Sequence, residues 1–324
     1  MGTLDDALGV VNGLLGDYLE RTGNELAIEM AFVEGGVPID LSSSNLKNAF
    51  PTATSKIAII VHGSSATESC FTLDDGTNYG TLLHRDLGVT PLFVRFNSGA
   101  AIALNGDRLS RLIQNLVDHY PSPIDEILLI AHSMGGLVVR SACHAASSEG
   151  QSWLPLVRRA IYLGTPHRGA PLERFGKVVA GVLQAIDDPY TRLIADVLNL
   201  RSAGVKDLGD AHLRHEDRDS GGLPSLRSPT HPVPLLPSIR HYLIAGTLAS
   251  DRVLSLLFGD SIVPIASATD GACTNVKSSE LPPAHVRILP GLSHITLAKH
   301  ADVYAQIRAW CEQPIDASVP DGAA

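Results

Sequence analysis

A serine becomes a nucleophile only where the chain forces its hydroxyl clear of the backbone and sets a base beside it. Residues 131–135, Ala131-His132-Ser133-Met134-Gly135, meet the first condition: the apolar run Ile127 to Ile130 feeds a small-x-Ser-x-Gly pentapeptide, and a helical pattern follows. On a sharp strand-to-helix turn the backbone is strained and nothing large fits two residues either side of the serine. Ala131 and Gly135 satisfy that demand, with Ala131 standing where glycine is usual. A second match, Ala146-Ser147-Ser148-Glu149-Gly150, is rejected because it follows a helical stretch, Leu137 to Ala146, with no strand feeding it. Ser133 is the candidate nucleophile.

The base has to be an imidazole whose tautomer is fixed by an acid, and in a strand-turn-helix setting the order along the chain is serine, acid, histidine, the last two on loops after late strands. Among 13 histidines, His294 satisfies that order: it lies on the Gly-containing loop Pro290-Gly291-Leu292-Ser293-His294, beyond the final strand candidate. His300 reads as a solvated or capping residue of the closing helix, and His132 as packing beside the turn. His167, in Gly164-Thr165-Pro166-His167-Arg168-Gly169, is placed in the lining of the cleft. For the acid, position leaves both Asp251 and Asp260 open. Negative charge developing on a carbonyl oxygen must be met by donors already aimed at it. The amides of Met134 and Ser64 are the candidates, with Gly63 allowing close approach. His62, Gly63, His132 and His167 form the expected substrate-binding surroundings. The reading calls for no metal and no cofactor.

These groups need a scaffold that brings distant loops to one edge. Lys56 to Val61 is a continuous apolar run of the kind buried on both faces of a parallel sheet. Leu92 to Phe96, Ala160 to Gly164, His241 to Gly246 and Val286 to Leu289 are further strand candidates. Helical patterns separate them, one over Asn105 to His119 with Leu109, Leu112, Ile113 and Leu116 on one face, and a helix over Lys299 to Cys311 closes the fold. Alternation of this kind predicts an α/β fold with a doubly wound, mostly parallel sheet. Ahead of it, Glu25 to Val33, the turn at Gly35-Gly36 and Val37 to Leu41 predict an antiparallel edge hairpin. Residues 3–20 predict an amphipathic helix docked by Leu4, Leu8, Val11, Leu15 and Tyr18, with Asp5, Asp6, Asn12 and Asp17 off that stripe.

The rhythm stops between Pro171 and Ser238. Leu172 to Ile186 and Tyr190 to Leu200 read as helical pieces, and Arg201 to Ser238 as a polar stretch rich in Gly and Pro. The expected organisation is residues 1–55 as helix and edge hairpin joined to the core, 56–170 and 239–313 as the core, 171–238 as an inserted cover over the sheet's carboxyl edge, and 314–324 as a tail.

A net charge of -9, from 25 basic and 34 acidic residues, gives no support to nucleic-acid binding and disfavours anionic lipid surfaces. Neutral small molecules, including lipid esters, are the expected partners. Cys70, Cys143, Cys273 and Cys311 show no Cys-x-x-Cys spacing, so free thiols and a reducing compartment are expected. Asp5 and Asp6 stand where a secretory signal needs basic charge, and no apolar run approaches a membrane span, so the expected location is the cytoplasm.

Taken together, Val61-His62-Gly63, Ala131 to Gly136, Leu163 to Gly169, and Asp260-Ser261-Ile262-Val263-Pro264 with Gly291 to Leu297 resemble the α/β-hydrolase superfamily. Within it they resemble the serine lipases and esterases with an Ala-His-Ser-Met-Gly elbow, such as small bacterial lipases and relatives of the GPI-inositol deacylase. The resemblance spans roughly residues 56–310. It implies Asp260 rather than Asp251 as the acid, a lid role for the insertion, and carboxylic-ester hydrolysis through an acyl-enzyme. Thioester or amide hydrolysis and acyl transfer would use the same groups, and a non-catalytic binding protein could keep the same fold.

Overall fold

The computed structural model describes residues 3–169, 202–210, 213–214, 233–248, 263–270 and 281–315. An eight-stranded sheet organises them, in the order β2-β1-β4-β3-β5-β6-β7-β8. Its strands are β1 (Ala31–Glu34), β2 (Val37–Pro38), β3 (Lys56–Val61), β4 (Thr90–Arg95), β5 (Glu126–His132), β6 (Val157–Leu163), β7 (Arg240–Thr247) and β8 (Val286–Pro290). From β4 to β8 every pairing is parallel, while β1 runs antiparallel to both β2 and β4. The edge hairpin is therefore present but shorter than the alternation suggested: residues 25–30 are not strand, and Leu26 is exposed.

Side-chain alternation explains the unbroken apolar runs. In β3, Ile57, Ile59 and Val61 enter one core, whereas Ala58 and Ile60 enter the other. In β5, Ile127, Leu129 and Ala131 divide from Leu128 and Ile130 in the same way. Two apolar faces need two helical layers. One face is covered by α4 (Ile102–His119) and α5 (Met134–Glu149), through Leu109, Ile113, Leu116 and Leu137. The other is covered by α3 (Tyr79–Leu87) and the C-terminal helix α7 (Ala301–Cys311), through Leu82, Leu83, Val303, Ile307 and Trp310. His300 caps α7, its side chain accepting from the Asp302 amide.

Because the chain passes from β3 outward to β4 and then back across to β5, the loops after β3 and β5 part in opposite directions. Such a switch point opens a crevice at the carboxyl ends of the strands.

The first helix, α1 (Thr3–Arg21), forms where expected, but its docked face is shifted from the expected stripe, of which Leu15 packs against the core. Leu4 and Tyr18 are exposed, while Val10, Asn12, Leu14 and Leu19 are buried. The leucine count misled because Gly9, Gly13 and Gly16 lie on the docked side and let the backbone come closer than a leucine stripe would allow. The acidic residues placed off the stripe take part in the docking: Asp5 pairs with Arg95, and Asp17 accepts the Ala203 amide. Asn12 is fully buried, donating to the Leu8 and Leu26 carbonyls and accepting the Ile28 amide.

Within the insertion, residues expected as a polar loop form α6 (Ala203–Asp210), held to the start of α4 by Asp207, which accepts the Ile102 amide. The apolar pieces Leu172 to Ile186 and Tyr190 to Leu200 lie outside the described residues. Cys70, Cys143 and Cys311 are free thiols, and burial pushes Cys143 and Cys311 up to about 12. No helix among the described residues is long and apolar enough to cross a membrane.

Replacing Asn12 with Ala removes three part-buried hydrogen bonds between α1 and its own turn and residues 26–28. Urea unfolding should show a loss of about 1–3 kcal/mol; an unchanged midpoint would mean that Asn12 is not part of the dock.

Candidate active site

Ser133 caps α5 with φ 52 and ψ -126, a backbone region that a residue with a Cβ enters at a cost of about 1–3 kcal/mol. Two hydrogen bonds hold it there: its amide donates to the Leu163 carbonyl of β6 at 2.9 Å, and its carbonyl accepts the Gly136 amide at 3.0 Å. The glycines after it show why the turn is so tight. A Cβ on Gly135 would stand 2.3 Å from the His62 carbonyl oxygen, and one on Gly136 would stand 2.0 Å from Thr165 Oγ1. The first turn of α5 is thus pressed between the carboxyl ends of β3 and β6, the two neighbours of β5 in the sheet.

That compression brings the loop after β3 to the serine. A Cβ on Gly63 would come within 3.0 Å of both Ser133 Cβ and His132 Nδ1. Ser64 follows, and Ser65 takes a left-handed backbone with φ 56. The Met134 amide, at the other candidate oxyanion position, begins the helix and so lies at its positive end.

From the far side of the sheet comes His294, beyond β8. Its Nε2 lies 2.8 Å from Ser133 Oγ, and the residue is buried. The loop that delivers it is pinned twice. Gly291, in the left-handed region at φ 79, donates its amide to the Thr247 carbonyl, and His132 Nε2 donates to the His294 carbonyl at 2.9 Å. The rings of His132 and His294 lie 4.9 Å apart. His132 is therefore a clamp on the neighbouring histidine, a role that its position in the sequence did not disclose. Both acid candidates, Asp260 and Asp251, lie outside the described residues.

The remaining imidazoles work on backbone and core. His62 is fully buried, donates from Nδ1 to the Gly63 carbonyl at 2.7 Å, accepts the Phe96 amide on Nε2, and stacks on the Phe96 ring. Burial pushes its pKa down from 6.5 to about 4, so it stays neutral and keeps that tautomer. His167 is buried as well; its Nδ1 accepts from Arg140 of α5 at 3.1 Å, and its ring meets Tyr162 edge-on. Burial, helped by the Arg140 charge, holds His167 well below the usual range. Its hydrogen bond thus goes to α5 and not to Ser133. The loop that carries it is tied to Ser267, which accepts the Arg168 amide and donates to the Gly169 carbonyl. No group of side chains suited to a metal ion occurs among the described residues.

Strand order, the strained serine between two close-packed glycine contacts, and a histidine arriving after the last strand recur together in one known architecture. The chain has an α/β-hydrolase fold. It matches the family description "PGAP1-like alpha/beta domain" over residues 96–204. Among solved structures it is similar to the Bacillus licheniformis lipase BlEst2 in its propeptide form, at 19% identity and a TM-score of 0.50, covering 85% of this chain and 53% of that one. It is also similar to the mature form of that lipase (19% identity, TM-score 0.49, 79% and 91% covered) and to the Pyrococcus furiosus esterase Pf2001 (14% identity, TM-score 0.46, 80% of each). Among curated protein sequences, none matches.

His62 and His241 are both buried neutral and both pushed down to about 4, so the unfolded chain binds protons that the folded chain refuses between pH 6.5 and 4. Stability is complete above about pH 6.5 and falls as the pH drops toward 4, by roughly 3 kcal/mol for each imidazole. Urea unfolding at pH 7.0 and pH 4.5 checks this: equal stability at the two values would show that these rings are accessible to protons in the folded state.

Proposed function

We propose that this α/β hydrolase is a serine carboxylic-ester hydrolase, an esterase or lipase that works through an acyl-enzyme. The observation that carries the reading is the 2.8 Å contact between His294 Nε2 and a Ser133 hydroxyl raised on a strained turn. A neutral imidazole at that distance takes the hydroxyl proton as Ser133 Oγ attacks the ester carbonyl. The carbonyl oxygen gains the negative charge, which the Met134 and Ser64 amides receive in this reading. Collapse of the tetrahedral species expels the alcohol, protonated by the imidazolium. Water then repeats the sequence on the acyl-serine, with His294 again the base.

Asp260 is assigned the acid that fixes the His294 tautomer, on the strength of its place before Ile262-Val263-Pro264 and after β7. His62, His132 and His167 are assigned to holding the site's walls: their rings are buried, and each hydrogen-bonds within the protein. The substrate-binding surface then falls to backbone at Gly63 and Ser64. Residues 171–238 are assigned the cover of the cleft. The PGAP1-like match over residues 96–204 supports this reading, since it spans the elbow.

Replacing Ser133 with Ala leaves folding intact and lowers turnover of p-nitrophenyl butyrate by at least about three orders of magnitude. Turnover within tenfold of the unaltered chain, with unfolding unchanged, rules out Ser133 as the nucleophile. Activity against p-nitrophenyl esters of increasing acyl length places the enzyme between esterase and lipase; a sharp optimum at acetate counts against a lipase.

A further inference from the structure

In the proposed reaction one oxyanion donor, the Ser64 amide, sits on a loop with no regular secondary structure, residues 62–67. Two of its neighbours fix that loop from outside. Ser65 donates its amide to Ser98 Oγ at 3.0 Å, across from the loop that follows β4, and Ser98 is buried. α1 packs against the same loop. A Cβ on Gly9 would stand 2.9 Å from the Ala66 carbonyl oxygen; one on Gly13 would stand 2.1 Å from Ser65 Oγ and 2.7 Å from Ser65 Cα; one on Gly16 would stand 1.7 Å from Asn97 Oδ1.

Polar ties run along the same seam. Asp6 accepts from the Ser69 hydroxyl at 2.5 Å and from that of Thr67 at 3.3 Å, and Asn97 Nδ2 donates to the Gly16 carbonyl at 2.8 Å. From above, Ser202 Oγ donates to the Gly13 carbonyl. The Ser65 hydroxyl has no hydrogen-bond partner among the described residues, so its contact with Gly13 is steric.

We propose that the Gly9-Gly13-Gly16 face of α1 and the Ser98 hydroxyl together set the shape of the oxyanion loop, making Gly13 and Ser98 positioning residues for the Ser64 amide. Rotation of the Gly63–Ser64 peptide, which carries that amide, would turn it away from the carbonyl oxygen above Ser133. The Ser98 hydrogen bond anchors the following peptide through the Ser65 amide, and the α1 backbone closes the space around Ser65 and Ala66, so the Ser64 backbone has little freedom to turn. This account rests on Ser133 as nucleophile, and its test separates the two.

The experiment uses the full chain with two variants, Ser98→Ala and Gly13→Ala. Alanine at an undocked helix position would favour α1; at position 13 it meets Ser65 Cα, a backbone atom that cannot rotate away. A misplaced donor loses transition-state stabilisation without loss of ground-state binding. With p-nitrophenyl butyrate, kcat falls in each variant by about ten- to a hundredfold, less than deleting a donor outright costs, while KM stays within about twofold. Affinity for phenylboronic acid, which forms a tetrahedral adduct at the serine, falls by the same factor as kcat/KM, whereas a merely structural role would leave that affinity unmoved in the folded fraction. Should Gly13→Ala fail to fold, Ser98→Ala decides alone. A folded Ser98→Ala with kcat and boronate affinity both unaltered overturns the inference. A wild-type chain that a fluorophosphonate does not label at Ser133 overturns the nucleophile itself, whatever the variants do.

Discussion

Gly135 sits where a side chain of any size would strike the carbonyl oxygen of His62, and that one close approach determines how the rest of the molecule is arranged. With the first turn of α5 seated on the end of β3, Ser133 has to turn through a left-handed backbone, and its hydroxyl emerges at the carboxyl edge of the sheet. The same contact draws Gly63 against Ser133 and leaves the loop after β3 with nowhere to go but over the serine. Two hydrogen bonds at Ser133 and dense apolar packing on both faces of β3 and β5 keep the strained turn from relaxing.

The imidazoles divide by environment. His62, His167 and His241 are buried where a charge is costly, and their pKa values fall accordingly, so each acts as a neutral hydrogen-bonding tile in the wall. His294 approaches from beyond β8 on a loop held by Gly291 and by the His132 ring, which places its Nε2 on the serine oxygen. Of two adjacent residues in the elbow, one supplies the hydroxyl and the other grips the loop that brings the histidine. This division accounts for the buried position of His132.

What the sequence disclosed follows from what its patterns encode. Apolar runs between helical stretches reported strands buried on both faces, so β3 matches its expected span residue for residue and the parallel order follows. The spacing at Ala131 to Gly135 encodes a steric demand, and the order of motifs pointed to both partners of the Ser133–His294 contact. Less was legible where burial does not depend on hydrophobicity. α1 docks through glycines, an asparagine and acids as well as Val10, Leu14 and Leu19, so a count of apolar residues captured only part of the docked face; the spacing of Gly9, Gly13 and Gly16 was the available signal. The roles of Ser98 and His132 rest on contacts with residues 33 and 162 positions away, which no local window contains. α6 arises in a polar, Gly-containing stretch whose helical shape depends on Ser202, Asp207 and the partners they find in α1 and α4.

The seam between α1 and the segment at Ser202 carries a consequence for how the chain is made. α1 is made before the sheet, yet its Gly13 carbonyl waits for Ser202, and Asp17 waits for Ala203, nearly two hundred residues later. Contacts of such long sequence separation form slowly and late. α1 can therefore take its final seat only once the segment at Ser202 and Ala203 is in place, with β1 to β6 lying between the two in sequence.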